Sequence, residues 1–418
     1  MALSPDLLCN LVVLLQSSIA LILLVRTPKG SILRWICLPS LVYMAYLEGV
    51  LVRISNHNVF AKVTVSGMPF TTIIQLINLL LVTSIDLTEH PGSTKDKLVF
   101  AFSILQSLRG IGTKWQARNV PQQPLVLRRN PPSRAQYIQR QIAIIIWEAL
   151  SLIWVLMLFV PHVKPDHDGI YLYGPGREFS YADSSVEQLL ARAKVAFVLG
   201  FPGSMLFLDS SYRMGSILAI GTGISKVESW PPVFGSLRES YTVRGFWGKF
   251  WHQYLRWPYT SISTAITCRI LRLPKPSLLE RYLNLTIVFA LSATMHVVTN
   301  VVSGIEGGNT GTMIFFLSQA GAIAFEDTIQ HCWAVLQREK ANAAETPLWQ
   351  RCVGFIWVFC WLAATYPWWW YPIIRSLGAY DWSEMLDVIH GLGLTKSNLS
   401  PMVVGGGIFL RIAFGAEI

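Results

Sequence analysis

Residues 283–302 read LNLTIVFALSATMHVVTNVV, twenty positions with no Asp, Glu, Lys or Arg. A helix of about that length crosses the hydrocarbon core of a bilayer. Among its polar residues, Ser292, His296 and Asn300 recur every four positions, with Thr299 beside the last. On a helix that spacing draws one polar stripe along an otherwise apolar rod. The remainder of the chain agrees with a membrane reading. Of its 418 residues 52% are apolar and only 14% are charged, whereas soluble proteins carry about 25% charged residues. Mean hydropathy is positive. Yet 34 Lys and Arg against 24 Asp and Glu leave a net charge of +10. Such a composition excludes a disordered chain and a soluble nucleic-acid binder. The expected fold is all-α: a polytopic integral membrane protein of about eight to nine transmembrane helices, with cytosolic interfacial helices.

Candidate spans lie near 7–25, 32–52, 69–85, 139–160, 192–221, 282–303, 311–335 and 351–373, with a weaker, glycine-rich one at 402–416. The fifth is interrupted by Gly200-Phe-Pro-Gly203 and is expected to kink. The N-terminus lacks a basic leader and reads as a retained first helix. Six cysteines show no CxxC pair and read as buried thiols. No metal motif is present, so no metal is expected. Loop charge predicts orientation. Nine basic residues fall in 86–140 and nine in 222–281, whereas 161–186 has Lys164 and Arg177 against Asp166, Asp168, Glu178 and Asp183. The two basic connections are therefore expected in the cytosol and 161–186 in a lumen. Within the first, 97–111 has helical apolar spacing and reads as an interfacial helix. The chain is read as one membrane-embedded domain over 1–418, comprising three spans in 1–85, a basic cytosolic loop at 86–138, and a core from 139 to 418. There is no internal repeat.

His296 is the first candidate for chemistry. It lies fourteen residues past Tyr282, about 21 Å along a helix, and ionisable groups at such depth face a cavity or a functional path by default. The alternative is a neutral histidine bonded to a neighbouring helix. Apolar surroundings disfavour the charged imidazole and leave it free to accept a proton. Ser292 and Asn300, one turn to either side, are candidate substrate contacts. A second group is Phe246-Trp247-Gly-Lys249-Phe-Trp251-His252-Gln253. Its aromatics alone suit an interfacial belt, but two polar side chains follow directly, and His252 is expected to join His296 in one cavity. Trp247, Trp251 and Gln253 are then candidate substrate contacts. A third group, FFLSQAGAIAFED at 315–327, offers Gln319 to the substrate, with Glu326 and Asp327 expected chiefly to pair with a basic residue. A fourth, SLRGIGTKW at 107–115, offers Arg109 and Lys114 to a phosphate-bearing ligand or to anionic headgroups. Lys249 is a further candidate for such a ligand.

Taken in chain order, and with Ser236-Leu-Arg-Glu239 ahead of the aromatic run, these motifs resemble the membrane-bound O-acyltransferase superfamily, in its wax-synthase-like branch. They are most similar to fungal O-acetyltransferases of terpenoid and meroterpenoid biosynthesis. The resemblance covers about 100–330 and implies that His296 is the catalytic histidine. It also implies that His252 stands where plant wax synthases have asparagine, and that Val297 replaces an acidic residue found there in wax synthases. It implies an enzyme of an internal membrane such as the endoplasmic reticulum, with acetyl-CoA as co-substrate and no tightly bound cofactor. The partners it implies are acyl-CoA, a lipophilic terpenoid-like alcohol and the bilayer, without nucleic acid. A wax synthase for long-chain alcohols, or a transporter with His296 in its path, are the other readings.

Overall fold

The computed structural model describes residues 3–159, 172–336, 346–378 and 383–414. Lys164, Asp166 and Asp168, counted above in the acidic connection, lie outside them, as do residues 415–416 of the last candidate span. All regular structure among the described residues is helical: α1 (Pro5–Arg26), α2 (Ile32–Ile54), α3 (Val59–Val65), α4 (Met68–Ile77), α5 (Thr94–Gln106), α6 (Leu125–Arg129), α7 (Arg134–Phe159), α8 (Val186–Lys194), α9 (Phe201–Gly221), α10 (Val243–Gly245), α11 (Arg256–Thr264), α12 (Leu278–Ser303), α13 (Asn309–Leu336), α14 (Leu348–Gly378), α15 (Ser383–Gly391) and α16 (Lys396–Phe414). Widened π-turns occupy Asn78–Val82, Val195–Gly200, Phe246–Phe250 and Ala265–Ile270, a geometry frequent at functional sites.

Among the described residues, seven helical stretches are long and apolar enough to cross a membrane: Pro5–Arg26, Ile32–Ile54, Val59–Val82, Arg134–Leu158, Val186–Gly221, Leu278–Ser303 and Leu348–Gly378. The segment 311–335 lies within α13 but falls outside these seven, interrupted by Gln319, Glu326, Asp327 and His331. The described part of 402–416 lies in α16. The break expected at Gly200-Phe-Pro-Gly203 takes the form of the π-turn before α9, which has Pro202 within its first turn.

The chain folds as two compact units, each made of two sequence segments. The first contains Met1–Arg118 and Tyr254–Glu345. Leu24, Leu41, Leu79, Leu80, Ile104 and Trp257 lie in its buried core. Helix α5 supplies Ala101, Ile104 and Leu105 to the interior and leaves Leu98, Val99 and Phe102 exposed, as suits a helix lying along a lipid boundary. Polar groups in the interior must find partners inside the protein. Gln16 donates to Leu41 O at 2.9 Å. Arg34, 1% exposed, spends its guanidinium on Thr27 Oγ1 and on the carbonyls of Thr27, Leu80 and Ile85 at 2.7–3.1 Å. One side chain thus caps the end of α1 and the π-turn after α4. Nearby, Asp86 accepts from Lys29 N and Thr88, which holds its carboxyl down at about 2.

The second unit contains Asn119–Gln253 and Thr346–Ile418. Helices α7 and α9 meet through a buried ionic group. Arg213 pairs with Asp209 and, at 3.2 Å, with Glu148, and it donates to Gln141 Oε1 at 2.6 Å. Ser210 Oγ donates to Glu148 Oε2 at 2.6 Å. The segment 173–181 is fastened by two arginines. Arg192 donates to the carbonyls of Arg177, Glu178 and Ser180, and Arg375 pairs with the Glu178 carboxylate at 3.1 Å.

Candidate active site

His296 stands on α12, half-buried, and its ring stacks on Phe316 of α13 with centroids 4.7 Å apart and planes 8° from parallel. Phe316 is 2% exposed, and Phe315 braces it edge-on at 4.9 Å. The helix pair is joined again one turn further on, where Asn300 Nδ2 donates to Thr312 Oγ1 at 3.0 Å. Asn300 is buried, and its Oδ1 has no hydrogen-bond partner. A buried carbonyl oxygen without a donor costs free energy, so a hydroxyl that reached it would be held. Close approach of α12 to its neighbours is permitted by small residues. A Cβ on Gly67 would stand 2.9 Å from Met295 Sδ, and Ser66 and Ser303 share a hydrogen bond at 3.0 Å.

Ser292 lies half-buried one turn before His296. Gln319, fully buried, donates to Phe315 O of its own helix at 3.0 Å. Asp327 accepts from Arg281 at 3.0 Å and from the Tyr282 hydroxyl at 2.8 Å, an ion pair of the expected kind, and Glu326 is buried beside it in sequence. Among the described residues no group of three or more His, Cys, Asp or Glu is placed to hold a metal ion.

His252 belongs to the other unit. The π-turn Phe246–Phe250 ends at Trp251, whose backbone is extended, and this turns the chain so that the aromatics pack on one another. Trp251 is buried, its ring 5.4 Å from that of His252, and Phe234 meets His252 edge-on at 6.1 Å. The Nδ1 atom of His252 is shielded from solvent. Trp247 is half-buried and lies 5.1 Å edge-on to Phe246. Gln253, 1% exposed, donates to Trp251 O at 2.7 Å and so braces the turn. Lys249 is exposed and pairs with Glu239 at 2.6 Å. Both line a groove of about 340 Å³ with Asn119, Gln122, Phe234 and Ser236.

Arg109 and Lys114 share one loop of the first unit, closed by Ala117 N donating to Arg109 O at 2.8 Å. Gly110 and Gly112 have positive φ there, and a Cβ on Gly110 would stand 2.9 Å from Trp115 O, so only glycine fits the turn. Arg109 is buried. Lys114 lies 5.0 Å over Trp115, which stacks on Trp257 at 6.1 Å. Burial pushes the neighbouring Arg256 guanidinium below its ordinary range, and the charge of Arg118 lowers it further. Lys249 belongs to the other unit.

Sequence reasoning missed Phe316 and Thr312. The signal was present in the phenylalanine pair three residues before Gln319, but only the crossing of α12 and α13 shows which ring meets the histidine. It also missed Phe201 and Tyr366, whose partners are remote in sequence.

The Membrane bound O-acyl transferase family matches residues 230–318, a stretch that contains both histidines. Acetyltransferase pyr8 of Aspergillus fumigatus is 36% identical over 94% of this chain and 93% of its own length. Acetyltransferase atnC of Arthrinium sp. is 34% identical, with 96% and 95% covered, and acetyltransferase cdmC of Talaromyces verruculosus 33% identical, with 96% of each covered. No solved structure matches the chain. Membrane-length helices, a histidine deep in one of them, and these relatives define a polytopic membrane acyltransferase, an enzyme that joins an acyl donor to a hydroxyl acceptor. The chain belongs to the membrane bound O-acyl transferase family.

Proposed function

We propose that the enzyme transfers acetyl from acetyl-CoA to a hydroxyl of a terpenoid or meroterpenoid intermediate, in the endoplasmic reticulum membrane with both basic connections cytosolic. The observation that carries this reading is likeness along nearly the whole chain to proteins named acetyltransferases. In the proposed mechanism His296 Nδ1 or Nε2 takes the proton of the acceptor hydroxyl. The hydroxyl oxygen attacks the thioester carbonyl, a C–O bond forms, the C–S bond breaks, and the proton passes to the CoA thiolate. General-base help of this kind is worth about 10²–10⁴-fold. Stacking on Phe316 fixes the plane of the imidazole before the substrate arrives, so orientation costs nothing at the moment of reaction.

Asn300 Oδ1 and Ser292 hold the alcohol on the stripe that carries His296. His252, with Trp247, Trp251, Gln253 and Gln319 as further contacts, bonds the oxyanion that develops on the thioester carbonyl. One such donor is worth about 10²–10³-fold. Arg109, Lys114 and Lys249 meet the CoA phosphates. The apolar alcohol enters from the bilayer.

Incubation of membranes carrying the protein with acetyl-CoA or palmitoyl-CoA and a panel of geraniol, farnesol, ergosterol and hexadecanol tests the reading. Acetyl esters of a terpenoid alcohol are expected. Palmitoyl esters of hexadecanol alone would refute it.

A further inference from the structure

Tyr366, midway along α14, is among the largest side chains with no solvent exposure. Its ring fills the space where a side chain on Gly200 would begin. A Cβ built there would stand 2.2–2.5 Å from Tyr366 ring and hydroxyl atoms, so this seat exists only because position 200 has no side chain. The next residue, Phe201, is 4% exposed. Its ring centroid lies 4.4 Å from that of Tyr366 and 4.9 Å from that of Trp251. Trp251 in turn lies against His252 at 5.4 Å. Behind Tyr366, Trp370 stacks at 5.6 Å. The second unit thus contains a continuous wall of packed rings that starts beside His252 and runs back to α14.

We infer that this wall sets the length of the acyl group, with Tyr366, seated against Gly200, as the specificity-determining residue. The inference rests on the acetyl-CoA reading above. The two substrates differ in bulk. A terpenoid alcohol needs an open path, whereas the methyl of an acetyl group needs almost no room beyond the carbonyl. The packed rings beside His252 therefore suit the acyl group. With the thioester carbonyl bonded by His252, each further methylene would have to enter volume that Phe201 and Tyr366 fill. Close-packed interiors do not yield such volume without displacing side chains.

The test measures kcat/KM for acetyl-, propionyl-, butyryl- and hexanoyl-CoA with geraniol, farnesol and ergosterol as acceptors. It compares wild type with Tyr366→Phe, Tyr366→Leu, Tyr366→Ala and Phe201→Leu, each checked for a monodisperse peak in detergent. Wild type is expected to fall steeply beyond acetyl, and Tyr366→Phe, which keeps the ring, to retain that ranking. Each methylene that gains apolar room is worth about fourfold, so Tyr366→Leu and Tyr366→Ala should raise the butyryl-to-acetyl ratio by about 15-fold. The leucine variants keep the core filled should the alanine variant not fold. The inference is overturned by a wild type that uses butyryl-CoA as well as acetyl-CoA. It is overturned equally by folded variants at 366 and 201 that keep the wild-type ratio. A wild type that esterifies none of these alcohols from any acyl-CoA instead rejects the terpenoid-acetylation reading on which it rests.

Discussion

The two histidines sit in opposite kinds of surroundings. His296 is carried by a regular helix, with Phe316 of α13 stacked against its ring and Thr312 of the same helix bonded to Asn300 one turn beyond. His252 follows a π-turn and is held by a cluster of rings drawn from several segments, with Gln253 bracing the backbone beneath it. A helix fixes the direction of a side chain through its period, and the stacked Phe316 ring sets the plane. An irregular turn has no such period, and many contacts are needed to hold one group. The first arrangement suits a base that must meet one hydroxyl proton. The second suits a donor whose position, rather than basicity, is what counts.

This contrast can be broken by experiment. His296→Ala should leave membrane insertion intact and lower kcat about 10²–10⁴-fold, the scale of general-base help; ester formation in membranes of equal protein content reads it. His252→Ala should cost about 10²–10³-fold, and His252→Asn, which keeps a donor, should recover part of that loss, whereas His296→Asn should recover none. Equal rescue at both positions would erase the distinction. Phe316→Leu keeps volume but loses the stacked plane. A lost aromatic contact is worth about 0.5–1.5 kcal/mol, so kcat should fall roughly 2- to 13-fold with KM little changed. A change confined to KM would make Phe316 a substrate contact instead.

The smallest effect lies away from both histidines. Asp86 has a carboxyl held at about 2, below its usual 3.8, by Thr88 and Lys29 N. A lowered folded value stabilises the protein above the unfolded value, and the gain disappears as pH falls through the folded one. The melting temperature in detergent of wild type should exceed that of Asp86→Asn by a constant amount above about pH 4, and the two should converge toward pH 2.

Much of the membrane architecture was legible because lipid imposes a long, uninterrupted apolar run that few soluble helices need. Arg34, by contrast, gave no sign of its work. Its partners, Leu80 O and Ile85 O, are backbone atoms some fifty residues away, and any residue type could supply them. The stripe Ser292-His296-Asn300 was visible from helical spacing alone. Phe316 was not, since one phenylalanine among apolar neighbours is indistinguishable from lipid-facing surface until the crossing of α12 and α13 is known. The seat of Tyr366 on Gly200 was hidden for the same reason, across 166 positions of sequence. The π-turns leave no periodic signature either, because one extra residue in a turn shifts the pattern without changing its composition.

The central claim is tested most directly by following labelled acetyl from acetyl-CoA into farnesol and ergosterol in membranes of wild type and His296→Ala at matched protein level. Labelled ester from wild type and none above background from His296→Ala is the predicted result. Ester formed by His296→Ala at the wild-type rate would contradict it.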